Sequence, residues 1–153
     1  MTTTPFPDGK QSRSTVRALV VDDFQHFRQF ICSTLGRIPG LQIIGEAADG
    51  LEAVQKAEEL QPDLILLDIG LPILNGIEAS HRISRVAPDS KILFVTQNDD
   101  EDLVRAALSN GGKGYVLKLD ARRELLLAVE SVLRGQRFTS AGVTGLRATL
   151  PSD

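Results

Sequence analysis

The run Leu64-Ile65-Leu66-Leu67 ends abruptly at Asp68, and the Ile69-Gly70-Leu71-Pro72 behind it can neither lengthen a strand nor open a helix cleanly. A short run with no polar side, bounded by turn chemistry, predicts a strand buried on both faces, as in the middle of a parallel sheet. Parallel neighbours cannot be joined by hairpins and need long crossovers, usually helices. This one stretch therefore points to a chain of alternating strands and helices. It also puts Asp68 at the carboxyl end of its strand, the edge where open α/β sheets bind ligands. Alone, an aspartate there reads equally well as a turn former.

The rest of the chain supplies the alternation. Val16 to Val21 reads as a strand ending in Asp22-Asp23, and Phe27, Phe30, Ile31 and Leu35 then take helical spacing until Pro39-Gly40. Leu41 to Gly45 is a second strand, and Asp49-Gly-Leu-Glu52 has the spacing of a capping box for a helix running to about Leu60. After the Leu64–Asp68 strand, Asn75-Gly-Ile-Glu78 opens another helix, with Ala79, Ile83 and Val86 on its inner face and Pro88 as its stop. Lys91 to Thr96 is a fourth strand. The acidic cluster Asp99 to Asp102 suits a helix N-terminus, with Val104, Ala107 and Leu108 as the apolar stripe. Gly114 to Lys118 is a fifth strand, and Asp120 caps a last helix carrying Leu126, Val129 and Leu133 and ending at Gly135.

Five strands alternating with five helices predict an α/β fold: a five-stranded parallel sheet with helices on both faces and right-handed connections. Residues 1–15 read as a flexible N-terminal tail, 16–135 as the domain, and 136–153 as a loose C-terminal tail or linker with one helical turn. At 153 residues this is one domain by length, able to bury roughly 70% of its unfolded surface. A net charge of −3 with scattered Lys and Arg disfavours a direct nucleic-acid partner. The single cysteine, Cys32, excludes an internal disulfide. No apolar run is long enough to span a membrane and the N-terminus lacks a signal-peptide core, so the expected location is the cytoplasm.

In a parallel sheet all carboxyl ends share one edge. Asp22, Asp23, Asp68, Thr96 and Lys118 would converge there. Three crowded carboxylates repel one another, and a hard divalent cation such as Mg²⁺, which accepts one or two protein carboxylates and keeps several waters, relieves the repulsion. The middle aspartate could then attack phosphorus, with the Lys118 ammonium and the Thr96 hydroxyl meeting the phosphoryl oxygens.

Asp22-Asp23, Leu67-Asp68 followed by Leu71-Pro72 and Asn75-Gly76, then Thr96, Tyr115 and Lys118 together resemble the receiver domains of two-component response regulators over about residues 16 to 135. The resemblance implies the doubly wound, flavodoxin-like strand order 2-1-3-4-5, for which a receiver is one of the standard examples. It implies Asp68 as phosphoacceptor, and Asp23, Asp68 and the Gly70 carbonyl as direct Mg²⁺ ligands, with Asp22 acting through water. Thr96 and Tyr115 would be a switch pair, working on the surface of the fourth helix, fifth strand and fifth helix. Implied partners are a histidine kinase or phosphotransfer protein as donor, a downstream protein target, and a second copy in a homodimer formed on phosphorylation. Chemistry would be limited to self-catalysed phosphotransfer and autodephosphorylation.

Three positions depart from the usual pattern. Gln97 follows the switch threonine where a small residue is common, and would narrow access for the phosphoryl group. Gly70 offers no side chain to shield an aspartyl-phosphate from water. Leu119 follows Lys118 where many receivers have a cis proline; a cis bond without proline costs about 2.5–4 kcal/mol, so a trans bond is expected. The stretches Gly114-Tyr-Val-Leu-Lys-Leu-Asp120 and Gly135-Gln-Arg-Phe-Thr-Ser140 resemble receivers joined to helix-turn-helix domains in nitrate and quorum-sensing regulators. The chain is then either a single-domain receiver acting through protein contact or one cut from a DNA-binding regulator. A haloacid dehalogenase-type phosphatase would need a second acid where Gly70 stands, and a receiver-like module without the phosphorylation chemistry is the other alternative. His26 and His81 read as surface residues, and Asn110-Gly-Gly-Lys-Gly114 as a helix stop, because a nucleotide loop needs Ser or Thr after its Lys.

Overall fold

The computed structural model describes residues 15–143. The elements, in order, are β1 (Val16–Val21), α1 (Gln25–Leu35), β2 (Leu41–Ala47), α2 (Gly50–Leu60), β3 (Leu64–Leu67), α3 (Gly76–Val86), β4 (Lys91–Thr96), α4 (Glu101–Ser109), β5 (Gly112–Leu117), α5 (Ala121–Leu133) and β6 (Phe138–Thr139). The strands form one parallel sheet in the order β2-β1-β3-β4-β5-β6.

Strand parity sorts the core. Leu64 and Leu66 point to one face with Ala18, Val20, Leu93, Val95 and Val116, where Ile31 and Leu35 of α1 and Leu125, Ala128, Val129 and Val132 of α5 cover them. Ile65 and Leu67 point the other way with Leu19, Val21, Phe94 and Tyr115, under α2, α3 and α4. Every side chain of β3 is fully buried. That is why the run tolerates no polar residue before its end.

Caps fall where the sequence places three of them. Asp49 accepts from Glu52 N at 2.7 Å while Glu52 Oε1 accepts from Ala48 N at 2.9 Å, and Asn75 accepts from Glu78 N at 3.0 Å. Within the acidic cluster Asp100 is the cap of α4, accepting from Asp102 N at 2.8 Å.

Several expectations need correction. The sheet has six strands rather than five: part of the stretch read as a tail is β6, and Ser140 N donates to Tyr115 O at 2.9 Å just beyond it. The cause is the ending of α5. Gly135, at φ 84°, closes the helix with Gly135 N donating to Val132 O and Gln136 N to Ser131 O, both at 2.9 Å, which turns the chain back along β5. Val143 then enters the core beside Tyr115 and Leu117. Helix α5 buries 125, 128, 129 and 132, leaving Leu126 and Leu133 at the margin of its stripe. Asp120 holds the N-cap position but its side chain makes no capping bond; it lies in a single 3₁₀ turn (Lys118–Asp120) and pairs with Arg123 at 2.9 Å. Helix α1 stops at Leu35, before Pro39-Gly40, and β5 spans 112–117, so Lys118 follows the strand. Among the described residues no peptide bond is cis, so Lys118-Leu119 is trans. The expectations for residues 1–14 and 144–153 lie outside the described residues.

Candidate functional site

Register brings the strand ends together. Val21 aligns with Leu67 and Leu67 with Phe94, while Thr96 aligns with Leu117, so Asp22, Asp68, Thr96 and Lys118 all emerge at one rim. There a cleft of about 390 Å³ is lined by Asp23, Phe24, Phe27, Asp68, Gly70, Thr96, Gln97, Asn98 and Lys118. Asp22 lies buried behind it, and Tyr115 is enclosed in the core.

The Asp68 carboxylate is held from both sides. Its Oδ1 accepts from Ile69 N at 2.7 Å, and its Oδ2 lies 3.1 Å from Lys118 Nζ. The same ammonium lies 2.8 Å from Asp22 Oδ2. Burial opposes charge on Lys118, but the Asp22 and Asp68 carboxylates outweigh it and hold the pKa above the usual lysine value. For Asp22 burial dominates, and with the Asp68 charge it raises the carboxyl above its usual 3.8 despite help from Lys118 and from Phe24 N. Apart from this ion pair, the buried Asp22 Oδ2 has no partner among the described residues.

With one ammonium shared between two buried carboxylates, the cluster fits a cation. Asp22, Asp23 and Asp68 each bring a carboxylate oxygen within 4.8 Å of the others, and Asp23 is exposed to the cleft. Three hard oxygen donors with room for water suit Mg²⁺ better than a soft metal.

Behind the cleft, Asn98 joins the two residues named as a switch pair. Its backbone carbonyl accepts from the Tyr115 hydroxyl at 2.7 Å, and its backbone and side-chain nitrogens both lie 3.5 Å from Thr96 Oγ1. Burial, reinforced by the Asp68, Asp100 and Asp99 charges, pushes the Tyr115 hydroxyl well up. The tyrosine ring is turned inward, 6.2 Å from Phe94.

Sequence reasoning did not single out Phe24, Phe27 or Asn98 for the site. Phe27 carries an ordinary helix-face signal, yet its ring lies 4.6 Å from Lys118 Nζ. For Phe24 the hint in the sequence was its place directly after two acids; the structure leaves its ring exposed.

The family model for the response regulator receiver domain matches residues 18–130. The chain belongs to this family. The receiver is 38% identical over 125 residues to the response regulator GacA of Pseudomonas viridiflava, covering 82% of this chain and 58% of the relative. It is 35% identical to the oxygen regulatory protein NreC of Staphylococcus epidermidis, covering 84% of this chain and 60% of the relative. The chain thus spans about three fifths of the length of the curated relatives it matches. Among solved structures, a LuxR-family two-component response regulator from Aurantimonas superposes with a TM-score of 0.82 at 33% identity, covering 89% of this chain and 97% of that one. The response regulator domain of Thermotoga maritima CheB superposes at 0.72 and 34% identity, covering 78% and 95%. Among the described residues no helix is long and apolar enough to cross a membrane.

Proposed function

We propose that this receiver accepts a phosphoryl group on Asp68 from a phosphohistidine of a histidine kinase or phosphotransfer protein. One observation carries the reading: the Asp68 carboxylate faces an open cleft while Lys118 Nζ lies 3.1 Å from one of its oxygens and Ile69 N 2.7 Å from the other. The residues then have distinct work. An Asp68 oxygen forms the new bond to phosphorus as the donor's P–N bond breaks, the electron pair returning to the imidazole. Lys118 holds fixed positive charge beside the incoming phosphoryl oxygens, and Thr96, at the cleft wall, offers a hydroxyl donor. Mg²⁺, held by Asp23, Asp68 and the Gly70 carbonyl with Asp22 through water, would neutralise the acidic cluster and the phosphoryl charge.

Output follows from Asn98. A Thr96 hydroxyl drawn toward a phosphoryl group leaves its Asn98 contacts, and that residue also anchors Tyr115, so the loop into α4 is the element to respond. The readers of that change are a downstream protein and, on phosphorylation, a second copy. Because the relatives are longer and include the transcriptional regulatory proteins DegU of Brevibacillus brevis and LiaR of Bacillus subtilis, the domain also fits as the receiver of a cytoplasmic transcriptional regulator. It acts as an acceptor with autodephosphorylation and not as a turnover enzyme.

Incubation with acetyl phosphate and Mg²⁺ should add one phosphoryl group, detected by intact mass, and Asp68→Asn should remove it. Undiminished labelling of the Asp68→Asn protein refutes the acceptor assignment.

A further inference from the structure

Among the described residues three groups meet the Lys118 ammonium, and two of them are the carboxylates of Asp22 and Asp68. The third is the face of Phe27, 4.6 Å away at the ring centroid, well inside the range of a cation–π contact. Phe27 is braced from behind by Phe30, ring centroids 5.3 Å apart. Beyond it lies a second, apolar groove whose lining includes Phe24, Phe30, Leu119 and Arg122. Lys118 and Phe27 line both this groove and the reaction cleft.

That shared wall poses a problem for the chemistry. Lysine is a point charge on a flexible four-carbon stem. When Asp68 forms an acyl phosphate, the negative charge moves from its carboxylate to the phosphoryl oxygens, and the ammonium must shift to follow it. The second groove, which the same side chain lines, leaves its flexible stem room to move off the reaction cleft during that shift. The ring's attraction does not change as Asp68 reacts, because it comes from a fixed quadrupole. Resting on the phosphoacceptor reading above, the geometry points to Phe27 as a positioning residue that keeps the Lys118 ammonium in the reaction cleft while the negative charge passes from the Asp68 carboxylate to the phosphoryl oxygens. Leucine would fill much of the same space and exclude water as well, but it has no quadrupole. Aromaticity is therefore the property under test.

Two measurements decide it. In the metal-free wild type, the Lys118 side-chain protons should resonate upfield of those of the other lysines through the ring current, and Phe27→Leu should remove that displacement. With acetyl phosphate and Mg²⁺, Phe27→Leu should label about fivefold more slowly, the size of a partly desolvated cation–π contact. Phe27→Tyr should keep both the displaced resonances and most of the rate, with unfolding midpoints of all three proteins reporting their integrity. Normal lysine shifts in the wild type, or wild-type labelling by Phe27→Leu, overturn the inference while leaving Asp68 as acceptor. A wild type that takes no label refutes the acceptor reading instead, and the positioning role falls with it.

Discussion

Gly76→Ala sets two effects of opposite sign against each other at the back of the site. Alanine is the better helix former, and helix propensity alone would favour the substitution by up to about 1 kcal/mol. Space says otherwise. A Cβ at Gly76 would stand 2.0 Å from the Asp68 carbonyl oxygen, 2.7 Å from Ile69 Cα and 2.8 Å from the Asp68 carbonyl carbon. All three are backbone atoms, so no side chain can swing aside. Clearing the contact means moving the start of α3 away from Asp68 by roughly 1 Å, which also stretches the 2.7 Å bond from Gly76 N to Ile69 O. Overpacking of this kind costs about 1–3 kcal/mol, and a weakened backbone hydrogen bond about 1 kcal/mol more. Set against the propensity gain, the net should be a destabilisation of about 1–3 kcal/mol in urea unfolding. An acceptor carboxylate displaced by that much should lose on the order of 100-fold in labelling rate. Gly70→Ala is the matched control: nothing lies within 4 Å of its added Cβ, so its stability should change by no more than about 0.5 kcal/mol. A Gly76→Ala protein as stable as wild type, or more so, would refute the reasoning, because α3 could not then be seated against the Asp68 backbone.

Asp22 makes stability depend on pH and metal together. Its raised pKa means the native state holds the proton more tightly than the unfolded chain, so its contribution is full below 3.8 and is lost as pH rises through the native value. A bound cation reverses that loss, adding about 1.4 kcal/mol at ten times its Kd. The stability gained on adding Mg²⁺ should widen from pH 4 to pH 7 and shrink in Asp23→Asn; equal gains at both pH values would contradict this. Tyr115→Phe removes the 2.7 Å bond to Asn98 O and should cost about 0.5–1.5 kcal/mol, with faster amide exchange across residues 97–100; unchanged exchange would free that loop from the tyrosine. In the wild type, beryllofluoride should shift the resonances around Tyr115, and a silent ring would refute the proposed switch role. Gln97 is exposed at the cleft lining, so Gln97→Ala should speed labelling or hydrolysis, and two unchanged rates would rule out the proposed gating role.

The fold was legible wherever burial left an unambiguous pattern. Strand β3 has water on neither face, so its composition alone identified it, and β1 and β4 matched at both ends for the same reason. The site was legible because parallel strands bring their ends to one rim, where acids and a lysine stand out. Legibility failed where stability comes from contacts rather than pattern. Strand β6 is two residues long and is held by its backbone bonds to β5, by the buried Ser140, whose hydroxyl accepts from Leu117 N at 3.0 Å, and by Val143 in the core. None of these shows as periodicity. Asp120 looked like a cap because caps are read from residue type, whereas its neighbour Arg123 claims the carboxylate. Phe27 looked like core because an aromatic on a helix face gives no hint of a cation beyond it.

The sixth strand also covers an edge of the sheet that β5 would otherwise leave open. It borders the strand that carries Tyr115, so a chain trimmed at Gly135 would bare a row of backbone donors and acceptors along β5 and open a hollow where Val143 packs. Such a border is an adhesive one, and the shortened protein would gather into edge-to-edge aggregates that a phosphorylation experiment could mistake for regulated pairing.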